Sequence, residues 1–277
     1  MNIRLRGHNF HIVPFSYYPL FVSIAVLNLV LMLCEMFHNN YCSVFGLVVR
    51  SYCVYVLVRL ILCWLDDISL ESMQVSNHTD KVRIGLRLGM VLFIVTEIMF
   101  FFSFFWSYFH SALSPSIMIG SLWPTVGLKG FIYYGIPLYN TILLVSSGSF
   151  LTLSHHLLLV KNYEESLINI YISIGLGIIF VFCQLIEYYN LDFSINDSIY
   201  GSVFFMVTGF HGFHVFLGLI MLSKVSILME QNFFNFKQHV GYECAAWYWH
   251  FVDVVWLFLY VWFYVWGSNF IYIVPVY

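Results

Sequence analysis

The chain has 277 residues, of which 61% are hydrophobic and 9% are charged, with a formal net charge of −3. Soluble domains contain about 25% charged residues, so this composition excludes an ordinary soluble enzyme and predicts an integral membrane protein. The charge balance gives no reason to expect nucleic acid as a partner. The six cysteines form no C-x-x-C pair, which favours structural thiols over a disulfide framework or a zinc site.

Seven apolar runs are long enough to cross a bilayer and predict an all-α, polytopic membrane protein. In chain order they cover residues 17–36, 41–65, 86–109, 138–160, 167–188, 199–229 and 245–266. A polar connection, residues 66–85, separates the first two runs from the other five. We therefore predict an N-terminal part with two helices, residues 1–80, and a five-helix bundle, residues 81–277.

Positive charge is distributed unevenly between the two sides that seven crossings define. One side receives Arg4, Arg6, Lys81, Arg83, Arg87, Lys161 and Lys237, whereas the other receives Lys129. By the positive-inside rule, the N-terminus faces the cytoplasm-equivalent side and the C-terminus faces outward.

The third run carries Glu97 near its middle, where an ionisable group is costly. Its helical neighbours Phe93, Phe100, Phe101 and Phe104 are aromatic and disfavour the ionised carboxylate. We predict that Glu97 is protonated at neutral pH, or is ionised only with a partner. A structural acid bonded to a neighbouring helix and a proton-linked role both remain open.

The sixth and seventh runs contain the polar residues that we expect to form a structural network, namely His211, His214, Glu243, His250 and Asp253. Histidines on facing membrane helices also ligate haem or copper, so a metal site is the alternative. That alternative is weakened because His155 and His156 fall near a helix end, far from the middle of the sixth run. From the residues alone, hydrogen-bonded structural histidines are favoured, and a metal site stays open as the alternative.

Small residues in the fourth and sixth runs favour close helix packing. They include Ser146, Ser147, Gly148, Gly209, Gly212 and Gly218. The fifth run ends with Gln184 and Glu187, which lie one helical turn apart at its outer end.

Trp64, Glu71 and His78 lie where the second run meets the polar connection that follows it, at headgroup depth. Such residues hold phospholipid headgroups, whereas a solvated charged loop is the alternative.

Several long motifs resemble subunit III of cytochrome c oxidase. They are VRIGLRLGMVLFIVTEIMFFFSFFWSYFHSALSPS from residue 82, SLWPTVGLKG with IPLYNT, SHH at 154–156, QLIEYY, YGSVFFMVTGFHGFHV and GYECAAWYWHFVDVVWLFLYVW. The resemblance implies seven transmembrane helices, with the first two separated from the other five by a lipid-filled cleft. It implies a non-catalytic subunit of a proton-pumping oxidase that passes electrons from cytochrome c to oxygen, with haem a and copper in subunits I and II. Glu97 matches the intramembrane carboxylate of the family.

The resemblance also implies structural phospholipids, accessory subunits, oxygen access and support of proton uptake. Many members carry Arg where this chain has Leu70 and Leu228, whereas Glu71, His78 and His239 remain as candidate lipid contacts. We expect Lys224 to supply the missing cation. Abundant Phe and Tyr, 29 and 20 residues, suggest an A/T-rich organelle gene. We therefore expect the mitochondrial inner membrane, with the N-terminus in the matrix and the C-terminus in the intermembrane space. A bacterial-type oxidase subunit and a stand-alone proton-coupled protein are the alternatives.

Overall fold

The computed structural model describes residues 11, 15–38, 44–73, 78–117, 120–124, 132–234 and 238–267. These ranges contain seven long α-helices and one terminal π-helix. The α-helices are α1 (Tyr18–His38), α2 (Val44–Met73), α3 (Asp80–Leu113), α4 (Ile136–Leu159), α5 (Tyr163–Tyr189), α6 (Ile199–Glu230) and α7 (Val240–Leu259), and the π-helix Tyr260–Trp266 continues α7. Each of seven helical segments is long and apolar enough to cross a membrane, which confirms the predicted all-α polytopic fold.

The polar connection between the second and third helices is shorter than predicted. α2 continues to Met73 and α3 begins at Asp80, so both helices extend beyond their apolar runs into the polar connection at residues 66–85. Apolar length marks the part of a helix that lies in hydrocarbon, whereas a helix can continue into the headgroup region with polar side chains. Asp80 lies in the first turn of α3, where a carboxylate is favourable, and it pairs with Arg83.

The chain divides into two compact units, Met1–Gly85 and Leu86–Tyr277. In the first unit, α1 packs against α2. The division passes through α3, after its first six residues. The boundary predicted from sequence, between residues 80 and 81, stays a prediction. The lipid cleft implied by the family resemblance stays a prediction.

The core of the second unit is built around the indole of Trp249, which is fully buried. α4 packs on α5 and α7, and α6 packs on both α5 and α7. A Cβ atom added to Gly177 or to Gly218 would lie 2.7 Å from the Trp249 ring, and the indole Nε1 donates to Ser147 Oγ at 2.9 Å. Small residues therefore admit a large aromatic ring.

Two of the glycines expected to support close packing do not do so. A Cβ atom added to Gly209 or Gly212 would meet nothing within 4 Å, unlike one added to Gly218. Helical spacing explains the difference, because residues 209 and 212 lie on other faces of α6 than the face that meets Trp249.

Long side chains connect α3 to the rest of the second unit. The Tyr108 hydroxyl donates to the Trp262 carbonyl at 3.1 Å, and the Tyr108 ring lies 4.1 Å from that of Phe263 in the π-helix. These contacts fix the rotation of α3, which determines where Glu97 points.

Candidate functional site

Glu97 on α3 and His214 on α6 form a direct contact in the middle of the second unit. The distance between Glu97 Oε2 and His214 Nε2 is 2.9 Å. The Glu97 side chain is 22% exposed and that of His214 is 8% exposed. The structure thus supplies the partner that the sequence could not identify for the intramembrane acid.

The hydrogen bonds of His214 determine how many protons this contact holds. Its Nδ1 lies 2.7 Å from the Phe210 carbonyl oxygen, which only accepts, so Nδ1 carries a hydrogen. Its Nε2 is then either the acceptor of a neutral imidazole or the donor of an imidazolium. In the first case Glu97 must be protonated, and in the second it is ionised. Either way, one proton lies between Nε2 and the carboxyl group.

Aromatic rings pack around His214 in this contact, and one of them, Phe101, belongs to the phenylalanine pattern near Glu97. The His214 ring lies 5.1 Å from Phe101, 6.2 Å from Tyr248 and 6.3 Å from Phe251. Water is a weak competitor for the shared proton in such surroundings, and the hydrogen bond is correspondingly strong.

The five residues predicted as one polar network lie in separate clusters. His211 Nε2 binds the Val252 carbonyl at 3.2 Å, whereas His250 lies between Asp253, at 3.7 Å, and Thr152, at 3.3 Å. His211, His214 and His250 therefore have different partners and do not converge on one point. This geometry argues against the haem or copper alternative built on those three histidines.

Glu243 belongs to a fourth cluster near the start of α7. Its two carboxylate oxygens accept from Arg87 Nε at 2.5 Å and from an Arg87 Nη at 2.9 Å. His239 Nε2 lies 3.3 Å from the same carboxylate. A bidentate pair between an arginine and a carboxylate is the strong form of this interaction, and it joins α3 to α7.

His155, His239 and Glu243 form a group with the spacing of a metal site. Their ligand atoms all lie within 4.8 Å of one another. Two histidines and a carboxylate suit zinc. However, Arg87 already occupies both oxygens of Glu243, so a cation would have to displace a guanidinium. We assign this group to the structural ion pair.

Arg87 and His155 were not predicted to be members of this cluster, although the sequence contains a signal for both. The predicted topology places the start of the third run, the end of the fourth and the start of the seventh on the same side. These residues are therefore expected at a similar depth in the membrane. Whether they touch depends on the rotation of each helix about its axis, which the sequence does not give.

The predicted lipid residues are placed differently from one another. Trp64 and Glu71 line a cavity of about 550 Å³ in the first unit, together with Tyr18 and Asp67. His239 is 6% exposed and contacts Glu243, so little of its surface is accessible to a lipid headgroup. Lys224, on α6, is partly exposed.

His78 lies between the helices α2 and α3, with its ring 6.0 Å from that of His11. Burial, and then the neighbouring His11, lower the pKa of His78, while Glu71 acts in the opposite direction. The lowered pKa favours a neutral ring at neutral pH. His78 is therefore a poor cation for a lipid phosphate.

Comparison with known proteins gives consistent matches over nearly the whole chain. The model of the family described as cytochrome c oxidase subunit III matches residues 8–268. Cytochrome c oxidase subunit 3 of Yarrowia lipolytica is 43% identical over 275 residues, covering 97% of this chain and 100% of the relative. The proteins of the same name from Drosophila melanogaster and Anopheles quadrimaculatus are 44% and 45% identical, each covering 95% of this chain and 98% of the relative.

The matched region contains every helix described above, including the Glu97–His214 and Arg87–Glu243 contacts. On this basis, the chain belongs to the cytochrome c oxidase subunit III family.

Proposed function

We propose that this chain is a non-catalytic core subunit of a proton-pumping haem–copper oxidase that transfers electrons from cytochrome c to oxygen and forms water. The observation that carries the proposal is family membership over residues 8–268. The relatives are named as subunit 3 of cytochrome c oxidase. Haem a and copper would then be held by subunits I and II, alongside accessory subunits.

The separate environments of the histidines support a role without a redox centre in this chain. His211, His214 and His250 bind a backbone carbonyl, a glutamate and an aspartate, respectively. A haem or copper centre on these residues would require all three to break their contacts and turn toward a common point.

The contact between Glu97 and His214 supports a role in proton uptake or in stability during turnover. One proton is held in the membrane-spanning part of the bundle, and the 22% exposure of the Glu97 side chain leaves a path for exchange with a neighbouring chain. The contact also joins α3 to α6, so loss of Glu97 would weaken both proton exchange and packing.

Two cavities in the first unit support phospholipid binding. The cavity of about 550 Å³ has a partly polar lining that includes Trp64 and Glu71. A second cavity, of about 460 Å³, has an apolar lining that includes Ile24 and Val56. Both are lined by Phe21 and Leu60, so a polar region continues into an apolar one, as a lipid requires.

Substitution of Lys224 tests whether the second unit also binds phospholipid. If Lys224 replaces the missing arginines as the cation for a lipid phosphate, Lys224→Ala should reduce the phospholipid that co-purifies with the oxidase. Lys161→Ala, at an exposed turn between α4 and α5, is the matched control. Full retention of tightly bound phospholipid by Lys224→Ala would refute this role.

We place the protein in the mitochondrial inner membrane, with the N-terminus in the matrix and the C-terminus in the intermembrane space. The distribution of Lys and Arg supports this orientation, and relatives from eukaryotes favour a mitochondrial oxidase over a bacterial-type one. A stand-alone proton-coupled protein is the less favoured function, because the match extends over the full length of named oxidase subunits.

Metal analysis of the native complex tests the proposal. The oxidase is purified in mild detergent, this chain is stripped from it, and haem and copper are measured in both fractions. We expect the metals to remain with the partner chains. Recovery of haem or copper with this chain, in stoichiometric amount, would contradict the assignment and make His155, His239 and Glu243 the first residues to replace.

A further inference from the structure

A second buried polar cluster lies at the other end of the five-helix unit from the Arg87–Glu243 pair. It consists of Asn140 at the start of α4, Gln184 and Glu187 at the end of α5, and Tyr264 in the π-helix. Asn140 and Tyr264 are fully buried, and Gln184 and Glu187 are 7% and 6% exposed. Polar side chains this deeply buried require hydrogen-bond partners.

The donors and acceptors of this cluster are incompletely satisfied by the described part of the chain. Asn140 Nδ2 donates to Gln184 Oε1 at 3.5 Å. Tyr264 interacts with both Glu187 and Gln184. Within the described residues, no hydrogen bond of normal geometry reaches Asn140 Oδ1, Gln184 Nε2 or either carboxylate oxygen of Glu187.

Leaving these groups unsatisfied would be costly. Each buried polar group without a partner destabilises the folded state, and an uncompensated buried charge does so more strongly. Native proteins are only marginally stable, so several such atoms in one cluster would remove much of that stability. A bound species that pairs with these atoms removes most of that cost.

The mixture of donors and acceptors identifies the kind of ligand. Asn140 Oδ1 and the Glu187 oxygens accept hydrogen bonds, whereas Gln184 Nε2 donates them. A metal or alkali cation would be coordinated by the oxygens but repelled by the amide hydrogens of Gln184. Water donates and accepts, so it can pair with both kinds of atom.

The lack of a cationic partner for Glu187 among the described residues also favours water as the ligand. No Lys, Arg or His among the described residues forms an ion pair with Glu187. A protonated carboxyl group carries no net charge, and it gains an O–H donor for a water molecule or for Tyr264. Neutral Glu187 and bound water together satisfy the cluster without a counter-ion.

We propose that Asn140, Gln184, Glu187 and Tyr264 form an internal water-binding site in which Glu187 is the neutral acid. The π-helix is part of this site, because it carries Tyr264 into the core, where its ring lies 5.6 Å from Phe204 and 5.8 Å from Trp256. π-Helical turns are rare and often occur at functional sites. The bound water connects α4 and α5 to the last turns of the chain.

Infrared spectroscopy of the intact oxidase tests this site. Spectra are recorded for the wild type, Glu187→Gln, Glu187→Leu and the control Glu164→Gln, an exposed acid in the first turn of α5. Each sample is measured in ordinary water and in water labelled with ¹⁸O. Glu187→Gln keeps a donor and an acceptor, whereas Glu187→Leu removes both.

We expect the wild type to show a protonated-carboxyl band and sharp water bands that shift with ¹⁸O. Glu187→Gln should lose the carboxyl band and keep the water bands, Glu187→Leu should lose both, and Glu164→Gln should keep both. If Glu187→Leu does not assemble, the carboxyl band in Glu187→Gln still decides the protonation state. The proposal is overturned if the wild type minus Glu187→Gln difference contains an ionised carboxylate, or if the water bands survive in Glu187→Leu.

Binding of an alkali cation at this cluster is the alternative to binding of water, and a second experiment distinguishes the two. Thermal stability is measured against sodium and potassium concentration at constant ionic strength, for the wild type and for Glu187→Gln. Equal responses of the two proteins support the water site. A stabilisation by one cation that disappears in Glu187→Gln would show that the cluster binds a cation, and it would overturn the proposal without affecting the oxidase assignment.

Discussion

Removing the carboxyl group of Glu97 should have a larger effect than converting it to an amide. Glu97→Leu leaves His214 Nε2 facing an apolar side chain in a nearly buried position, since His214 is 8% exposed. A hydrogen bond to a charged group contributes about 1.5–3 kcal/mol. At about 1.4 kcal/mol per factor of ten, the loss predicts a folding equilibrium constant roughly 10 to 100 times smaller.

Glu97→Gln should cost less than about 1 kcal/mol, because the new amide group can donate to Nε2 of a neutral His214. The hydrogen on His214 Nδ1 stays on the Phe210 carbonyl in both variants, so the two substitutions differ only in the contact at Nε2. The difference between Leu and Gln at this position therefore measures the contact that holds the shared proton.

The assay is reversible unfolding of the chain in mixed detergent micelles, followed by circular dichroism. Glu97→Leu, Glu97→Gln, His214→Phe and the Glu97→Leu/His214→Phe double variant form the set, with Glu164→Gln as the control. We expect an interaction energy of about 1–3 kcal/mol from the double-mutant cycle. Additive effects of the two single substitutions, or equal unfolding free energies of the Leu and Gln variants, would show that the Glu97–His214 contact does not stabilise the fold.

Three other predictions follow from contacts elsewhere in the chain. Gly218→Ala should destabilise the fold by about 1–3 kcal/mol, because a Cβ atom would overlap the buried indole of Trp249. Gly209→Ala should be neutral or slightly stabilising, because a Cβ atom there meets nothing within 4 Å. Thermal unfolding of the two variants measures the difference. Arg87→Met and Glu243→Gln should be non-additive in a double-mutant cycle of unfolding free energies, and an interaction below about 0.5 kcal/mol would contradict the bidentate pair. Because the pKa of His78 is lowered in the folded state, its contribution to stability should be complete above about pH 6.5 and be lost as the pH falls below that value. The pH dependence of unfolding should therefore be weaker in His78→Gln, and an unchanged slope would show that His78 is not buried as described.

The helix count and the membrane class could be predicted from composition and apolar length. Backbone groups in hydrocarbon have no water to bond with, so an apolar run of sufficient length has few alternatives to a helix. The helix ends were less predictable, as α2 and α3 show. Residues 66–73 and 80–85 are rich in charged and hydroxyl side chains, and polarity alone does not distinguish a solvated helix from a loop.

The candidate site was predictable in its parts and unpredictable in its connections. Glu97 was identified from a carboxyl group at mid-depth among phenylalanines, and His214 from its position in the sixth run. Their contact joins residues 117 positions apart, and it depends on the rotation of two helices about their axes. Several rotations place an apolar face toward lipid, so the hydrophobic pattern does not select among them.

Composition and apolar length are sufficient to predict seven membrane-spanning helices and an acid in the middle of the third, and the long motifs are sufficient to recognise the family. The packing of the helices selects which charged and polar groups meet, namely Glu97 with His214 and Arg87 with Glu243. The physical reason is that burial of apolar surface is non-directional, whereas a hydrogen bond requires particular atoms at a particular distance and angle. Composition can therefore specify which segments are buried, whereas the packing of the helices is needed to specify which hydrogen bonds form.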